Sequence, residues 1–191
     1  GPNLATEVAK GEPAATVVAS RYEEVVQAAQ SVLNSDRFRV YSSSDVIGVE
    51  WAGTLKNILA IAAGALDALG TGWNARSMLI TRGLAEMVRF GTAMGGDIHT
   101  FLGLAGMGDL MATCGSPLSR NYRVGAGLAR GESLDSILKS LGSTAEGVGT
   151  TRIVTEFSKK RGLSMPIVEG VAALLSGDVS VPQAMEVLMK R

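Results

Sequence analysis

The fold is decided by residues 51–69, which read WAGTLKNILAIAAGALDAL. The most apolar part of this run, residues 58–66, lies between Lys56 and Asp67. It is about nine residues long, less than half of the roughly 20 apolar residues needed to cross a bilayer. We therefore expect a buried helix here and no membrane-spanning segment.

The sequence after this run predicts further helices, because β-branched runs become rare. Pro166 and Pro182 suit the first turn of a helix. Gly131, Gly162 and Gly177 stand where helix ends need a positive φ. We expect helices at residues 51–69, 75–94, 98–103, 107–114, 119–130, 133–140, 145–161, 166–176 and 181–190.

The first 50 residues follow a different pattern. Residues 16–20 form a short β-branched run, residues 22–34 place apolar side chains at helical spacing, and residues 38–42 alternate apolar and polar. These lengths predict a βαβ crossover with parallel strands. Since two parallel strands alone make a poor sheet, we expect the end of a larger α/β domain.

The composition argues against several kinds of function. Eighteen Lys and Arg balance eighteen Asp and Glu, which disfavours binding to nucleic acid or a membrane surface. With one cysteine, Cys114, and one histidine, His99, we expect no disulfide framework and no metal site. The same cysteine usage predicts a cytoplasmic location. The 24 glycines and 5% aromatic content predict closely packed backbones.

Lys56 is the first candidate functional residue. Helical spacing surrounds it with small or apolar residues, namely Ala52, Gly53, Leu59, Ala60 and Ala63. Partial desolvation of an amine lowers its pKa toward the range useful for acid–base chemistry. The alternative is a lysine whose stem covers apolar surface while its ammonium reaches water. Position alone leaves both interpretations open.

Two further segments could carry chemistry. Residues 103–110 hold three glycines followed by Asp109 at the start of a helix, where an acid is favoured by the helix dipole and a structural cap is the better explanation. No strand precedes these glycines, so a dinucleotide loop is not indicated.

Ser119-Arg120-Asn121 is either a helix-end anion site or a capping serine beside a solvated arginine.

Five motifs taken together resemble bacterial NAD(P)-dependent glycerol-3-phosphate dehydrogenase, and the resemblance covers essentially the whole chain. In chain order they are Gly1-Pro2-Asn3-Leu4-Ala5-Thr6-Glu7-Val8-Ala9-Lys10-Gly11, Gly48-Val49-Glu50 leading to Leu55-Lys56-Asn57, Gly106-Met107-Gly108-Asp109-Leu110 with Thr113-Cys114, Ser119-Arg120-Asn121, and Ala145-Glu146-Gly147. Each motif alone is weak, whereas five in this order are specific.

The resemblance implies a mainly α fold. Residues 51–191 would form an all-helical substrate domain like the C-terminal domain of 6-phosphogluconate dehydrogenase. Residues 1–50 would be a residual βαβ piece of a Rossmann domain, and they lack that domain's glycine-rich nucleotide loop.

The resemblance also implies an oxidoreductase that uses NAD or NADP. It would reduce dihydroxyacetone phosphate to sn-glycerol 3-phosphate for phospholipid synthesis. Because the main cofactor domain is missing, the chain is expected to be inactive alone. We expect a cytoplasmic homodimer with no nucleic-acid or membrane partner.

The site residues follow from the same resemblance, which makes Lys56 the catalytic proton donor. The expected substrate contacts are Gly1, Asn3, Lys56, Asp109, Ser119, Arg120 and Asn121. The expected cofactor contacts are Ala5, Arg120, Thr144 and Glu146, with no metal. Asn3 stands where the family commonly has Ser or Thr, and Thr144 where it has an apolar residue.

Two alternative functions stay open. One is a non-catalytic helical dimerisation module, which would not need Lys56, Asp109 and Arg120 together. The other is a 2-hydroxyacid dehydrogenase with a helical C-terminal domain, against which the phosphate-type site at residues 119–121 argues. The choice between NADH and NADPH is not encoded in this part of the enzyme, because its determinants lie in the missing domain.

Overall fold

The computed structural model describes residues 1–190, which form a small α/β piece followed by a helical domain. The α/β piece contains α1 (Ala5–Ala9), β1 (Ala14–Ala19), α2 (Glu23–Leu33) and β2 (Phe38–Ser43). The helical domain contains α3 (Val46–Ala68), α4 (Trp73–Ala93), α5 (Ile98–Leu102), a π-helical turn (Leu104–Gly108), α6 (Asp109–Gly115), α7 (Arg120–Ala129), α8 (Leu134–Leu141), α9 (Glu146–Arg161), α10 (Pro166–Ser176) and α11 (Val181–Met189). The predicted fold class is confirmed.

The two strands pair in parallel, with Ala14 opposite Phe38 at one end and Ala19 opposite Ser43 at the other. Helix α2 makes the crossover between them and is tied to β2 at Val40. The Val40 N–H donates to Asn34 Oδ1 at 2.8 Å, and the Val40 carbonyl accepts from Gln30 Nε2 at 3.0 Å. The predicted βαβ unit is therefore present, whereas the short helix α1 before it was not expected.

Helix α3 is the centre of the helical domain. Its buried residues pack against those of α4, α5, α6, α7 and α10, and together these six helices supply most of one continuous core. Helices α3 and α7 cross with their backbones in contact, because a Cβ at Gly64 would overlap the Tyr122 carbonyl and one at Gly125 would overlap the Ile61 carbonyl. This contact confirms the expectation that small residues bring backbones together.

The start of α3 differs from the prediction. The helix begins at Val46, not at residue 51, because the carboxylate of Asp45 accepts the Gly48 N–H at 2.8 Å and caps it. At 23 residues, α3 is long and apolar enough to cross a membrane, so the length argument used above was wrong. What distinguishes α3 from a membrane span is its packing inside the fold, where Ala52, Ile58 and Ile61 are fully buried.

The remaining predicted helices are all present, and a buried carboxylate joins two of them. Glu86 of α4 is 3% exposed and accepts the backbone N–H groups of Ile167 and Val168 at 2.7 and 3.2 Å. These amides belong to the first turn of α10, whose orphan donors are thus satisfied. Glu86 therefore fixes the start of α10 against α4.

Candidate active site

The centre of the candidate site is an ion pair between α3 and α6. Lys56 Nζ donates a 2.7 Å hydrogen bond to Asp109 Oδ2. Asp109 is buried, whereas the Lys56 side chain is 21% exposed. The amine thus has a fixed acidic partner on one side and access to solvent on the other.

Asp109 is held by further donors besides Lys56. Its Oδ1 accepts from the hydroxyl of Thr113, one turn later on α6, at 3.2 Å. The backbone nitrogen of Gly1 lies 3.3 Å from its Oδ2. None of these bonds goes to the N–H groups of its own helix, so the interpretation of Asp109 as a helix cap is wrong.

The glycine-rich segment before Asp109 forms the π-helical turn. A Cβ at Gly106 would overlap the carbonyl of Phe101, and Phe101 is itself fully buried. Glycine is therefore required by close packing against α5. This turn sets the direction in which α6 begins, and with it the position of the Asp109 carboxylate.

The N-terminal segment reaches the site from the side of the sheet. A Cβ at Gly1 would come within 2.7 Å of the Ala15 carbonyl oxygen on β1. Pro2 lies against Gly108, at the end of the π-helical turn. Gly1 therefore lies between the sheet and Asp109, and its assignment as a substrate contact stays a prediction.

The start of α7 presents unpaired donors and a free cation. Ser119 caps the helix by accepting the Tyr122 N–H at 3.4 Å. The N–H groups of Arg120 and Asn121 donate to no acceptor among residues 1–190. The Arg120 side chain is exposed, and no ion pair or hydrogen bond holds it within the described chain. The cap is thus present, whereas the anion site stays a prediction that the free N–H groups and the exposed guanidinium support.

The start of α9 lies directly beside the start of α7. Asn121 Oδ1 accepts the N–H of Gly147 at 2.9 Å, and this bond is buried. Glu146 Oε2 accepts from Asn57 Nδ2 on α3 at 3.4 Å. A Cβ at Gly147 would come within 2.6 Å of the Asn57 carbonyl oxygen. Two helix N-termini therefore meet next to the residue that follows Lys56.

Some predicted site residues are not joined to this cluster. Among the described residues, no hydrogen bond or ion pair links Asn3, Ala5 or Thr144 to the Lys56–Asp109 pair. Ala5 opens the exposed helix α1. Thr144 is exposed and lines a separate surface depression with Leu138 and Val148. Their assignment to the substrate or the cofactor stays a prediction.

Two residues in the cluster were given no role in the sequence analysis, although both lie in the motifs quoted there. Thr113 holds Asp109, and its spacing of four residues on one helix was the available signal. Asn57 connects α3 to Glu146, and its position beside Lys56 was the available signal. Both act by holding a neighbouring side chain.

Charged groups of both signs lie at the junction of α7 and α9. Arg120 and Glu146 flank the Asn121–Gly147 bond, so an exposed cation and an exposed carboxylate stand at one helix junction. Such groups suit amide and hydroxyl partners. Residues 1–190 contain no glycine-rich loop between a strand and a helix, which is the element that holds the pyrophosphate in dinucleotide-binding domains.

Known proteins match this chain over its whole length. Residues 45–186 match the family described as NAD-dependent glycerol-3-phosphate dehydrogenase C-terminus. Glycerol-3-phosphate dehydrogenases (NAD(P)+) of Gloeobacter violaceus and Synechocystis sp. are 53% and 51% identical to it over 191 residues. These matches cover 100% of this chain but only 63% and 60% of the relatives.

A solved structure matches equally well. A crystal structure of glycerol-3-phosphate dehydrogenase from Coxiella burnetii has a TM-score of 0.96 and 42% identity to this chain. It covers 100% of this chain, which in turn covers 59% of that protein. The similarity therefore includes both the α/β piece and the helical domain.

Proposed function

The chain belongs to the NAD-dependent glycerol-3-phosphate dehydrogenase family, and from this membership we propose that it supplies the substrate site of such an enzyme. The reaction is the interconversion of dihydroxyacetone phosphate and sn-glycerol 3-phosphate, which feeds phospholipid synthesis. The observation that carries this proposal is the Lys56–Asp109 pair beside the junction of α7 and α9.

Lys56 is the proton donor in this proposal. A reduced nicotinamide, when bound, would supply the hydride for C2 of the ketone, and Lys56 Nζ gives its proton to the C2 oxygen. Asp109, held by Thr113, stabilises the ammonium before the transfer and keeps it aimed. Because Lys56 is partly exposed, solvent can return the proton after the step.

The phosphate group is assigned to the start of α7. The free N–H groups of Arg120 and Asn121, the positive end of the helix dipole and the Arg120 guanidinium all favour a dianion. Ser119 shapes this end by capping the helix. The side-chain oxygen of Asn121 accepts the Gly147 N–H, so only the side-chain nitrogen of Asn121 remains for the substrate. Gly1, beside Asp109, completes the substrate side, together with Asn3.

The cofactor contacts of this chain are confined to the nicotinamide end. Arg120 and Glu146 stand at the helix junction, and Ala5 and Thr144 are assigned by family position alone. Residues 1–50 belong to the nucleotide-binding domain and residues 51–191 to the substrate domain. We further propose that the enzyme works as a homodimer in the cytoplasm, and light scattering of the purified protein tests its oligomeric state.

The experiment uses a two-domain enzyme, made by placing the N-terminal part of the Gloeobacter violaceus relative before Gly1. Oxidation of NADH and NADPH is followed with dihydroxyacetone phosphate, unphosphorylated dihydroxyacetone and a 2-keto acid. The proposal predicts turnover with the phosphorylated ketone and at least about 100-fold lower kcat/KM without the phosphate.

Each other outcome favours a different function. Preference for the 2-keto acid would make the protein a 2-hydroxyacid dehydrogenase. A folded two-domain protein that binds NADH and turns over none of the three compounds would leave a non-catalytic helical module.

A further inference from the structure

Arg76 of α4 contacts α3 and α6 at the end of α6 that lies away from Asp109. It belongs to the first turn of α4, and its Nη2 donates to the Cys114 carbonyl on α6 at 2.9 Å. Its Nη1 lies 3.9 Å from Asp67 Oδ1 on α3. The guanidinium lies 5.4 Å from the centre of the Trp73 ring, which shields one of its faces.

Asp67 extends this contact to α7. Its Oδ2 accepts a short hydrogen bond from the hydroxyl of Tyr122. Burial, together with the hydrogen bond and charge of Asp67, raises the pKa of Tyr122 to about 12. The hydroxyl therefore stays protonated at neutral pH and remains a donor to the carboxylate.

The helices joined by Arg76 are those that carry the candidate site. Helix α3 carries Lys56, α6 begins with Asp109, and Tyr122 lies in the same first turn of α7 as Arg120. Arg76 and the Lys56–Asp109 pair therefore hold α6 from its two ends.

Helix α6 depends on such contacts because it has only seven residues. A helix this short has little stability of its own. The carbonyls of its last turn lack partners within the helix, and Arg76 satisfies that of Cys114. Residues 116–119 then lead directly to Arg120. The position of the α6 end thus determines where the start of α7 lies relative to Lys56.

We propose that Arg76 is a positioning residue for the phosphate end of the substrate site. It fixes the end of α6 and, through Asp67 and Tyr122, the start of α7, so that Arg120 and the helix N–H groups stand at the correct distance from Lys56. This inference rests on the proposed function. Arg76 touches neither substrate nor cofactor.

The test compares Arg76→Gln with Arg82→Gln in the two-domain enzyme. Arg82 is a matched control on the same helix, because its Nη1 also donates to a helix-end carbonyl, that of Leu188, at 2.8 Å. Two measurements are made, namely steady-state kinetics with dihydroxyacetone phosphate, which give KM and kcat, and the labelling rate of Cys114 by a thiol reagent. Mass spectrometry of the Cys114 peptide makes the labelling specific.

For Arg76→Gln we expect KM to rise about tenfold with kcat within about threefold of wild type, since Lys56 and Asp109 keep their own contacts. We expect Cys114, which is fully buried, to be labelled about tenfold faster as the α6 end opens. Arg82→Gln should change neither quantity. Arg76→Lys keeps the charge and one donor, so its KM should lie between those of wild type and Arg76→Gln.

Several results would overturn the inference. Faster labelling with an unchanged KM would make Arg76 a structural contact only. Equal changes of KM in Arg76→Gln and Arg82→Gln would show that the contact at the end of α6 has no particular effect on the substrate site. If Arg76→Gln does not fold, Arg76→Lys is measured alone. An unchanged KM and an unchanged labelling rate of Cys114 in that variant would contradict the inference. A wild-type enzyme without activity would instead refute the proposed function, and the inference with it.

Discussion

Lys56 and Asp109 meet through a 2.7 Å hydrogen bond although 53 positions separate them in the chain. The bond joins the central helix α3 to the first residue of α6. It combines a partly exposed amine with a buried carboxylate, so the charge of each is balanced by the other. Every function proposed for the site depends on this pair and on the helix ends beside it.

Replacing Arg120 with alanine in the two-domain enzyme should weaken substrate binding. Loss of a charge-assisted contact to phosphate costs about 2–3 kcal/mol, or roughly 30- to 150-fold in kcat/KM. Most of the change should be in KM for dihydroxyacetone phosphate, measured by steady-state kinetics. Arg123, exposed one turn later on the same helix, gives the matched control Arg123→Ala. If both variants lose activity equally, Arg120 is not the phosphate ligand.

Gly147→Ala should break the junction of α9 with α3 and α7. The added Cβ would come within 2.6 Å of the Asn57 carbonyl oxygen and 2.8 Å of Asn121 Oδ1. We expect a loss of about 1–3 kcal/mol in the free energy of unfolding, measured by urea titration of this chain. Gly149→Ala is the control, because nothing lies within 4 Å of its Cβ, and it should gain about 0.5–1 kcal/mol. Equal shifts in the two variants would refute the close contact.

Glu86 should make stability depend on pH. Burial raises the pKa of its carboxyl above the ordinary value of 4.5, although the Ile167 and Val168 N–H groups oppose this shift. The stabilisation of the folded state by the protonated Glu86 is therefore full below the unfolded-state pKa. It is lost as the pH rises through the folded-state pKa. The unfolding free energy of wild type relative to Glu86→Gln should fall as the pH is raised from the ordinary carboxyl pKa of 4.5 toward neutrality. A difference that stays constant over this range would show that Glu86 does not titrate there.

The 191-residue chain alone should bind NADH weakly. Its proposed cofactor contacts reach only the nicotinamide end, and its described part has no glycine-rich loop for the pyrophosphate. Titration calorimetry should therefore show no micromolar binding, whereas the two-domain enzyme should bind. Micromolar binding to the chain alone would mean that helical-domain residues hold the dinucleotide by themselves.

Local signals in the sequence predicted much of this structure. Alternation at residues 38–42 predicted a strand, and a cap was one of two open interpretations of Ser119, because its hydroxyl acts within its own turn. Lys56 was singled out by the small residues around it on one helix. In each case the deciding interaction lies within a few positions along the chain.

Contacts between distant segments could not be read in the same way. Spacing alone favoured Asp109 as a cap, because only the folded chain brings Lys56, Gly1 and Thr113 to its carboxylate. The π-helical turn follows from the packing of Gly106 on Phe101, which no periodicity reveals. One local feature was also predicted wrongly. The start of α3 was placed at residue 51, although Asp45 is a residue type that commonly caps a helix.

The central claim, that Lys56 donates the proton, is tested most directly by Lys56→Met in the two-domain enzyme. Methionine keeps the apolar stem and removes the proton, so the melting temperature should change little. Turnover of dihydroxyacetone phosphate should fall at least about 100-fold, as expected for loss of a general acid. A folded Lys56→Met enzyme that stays within a few-fold of wild-type kcat would contradict the account and show that the proton comes from another group.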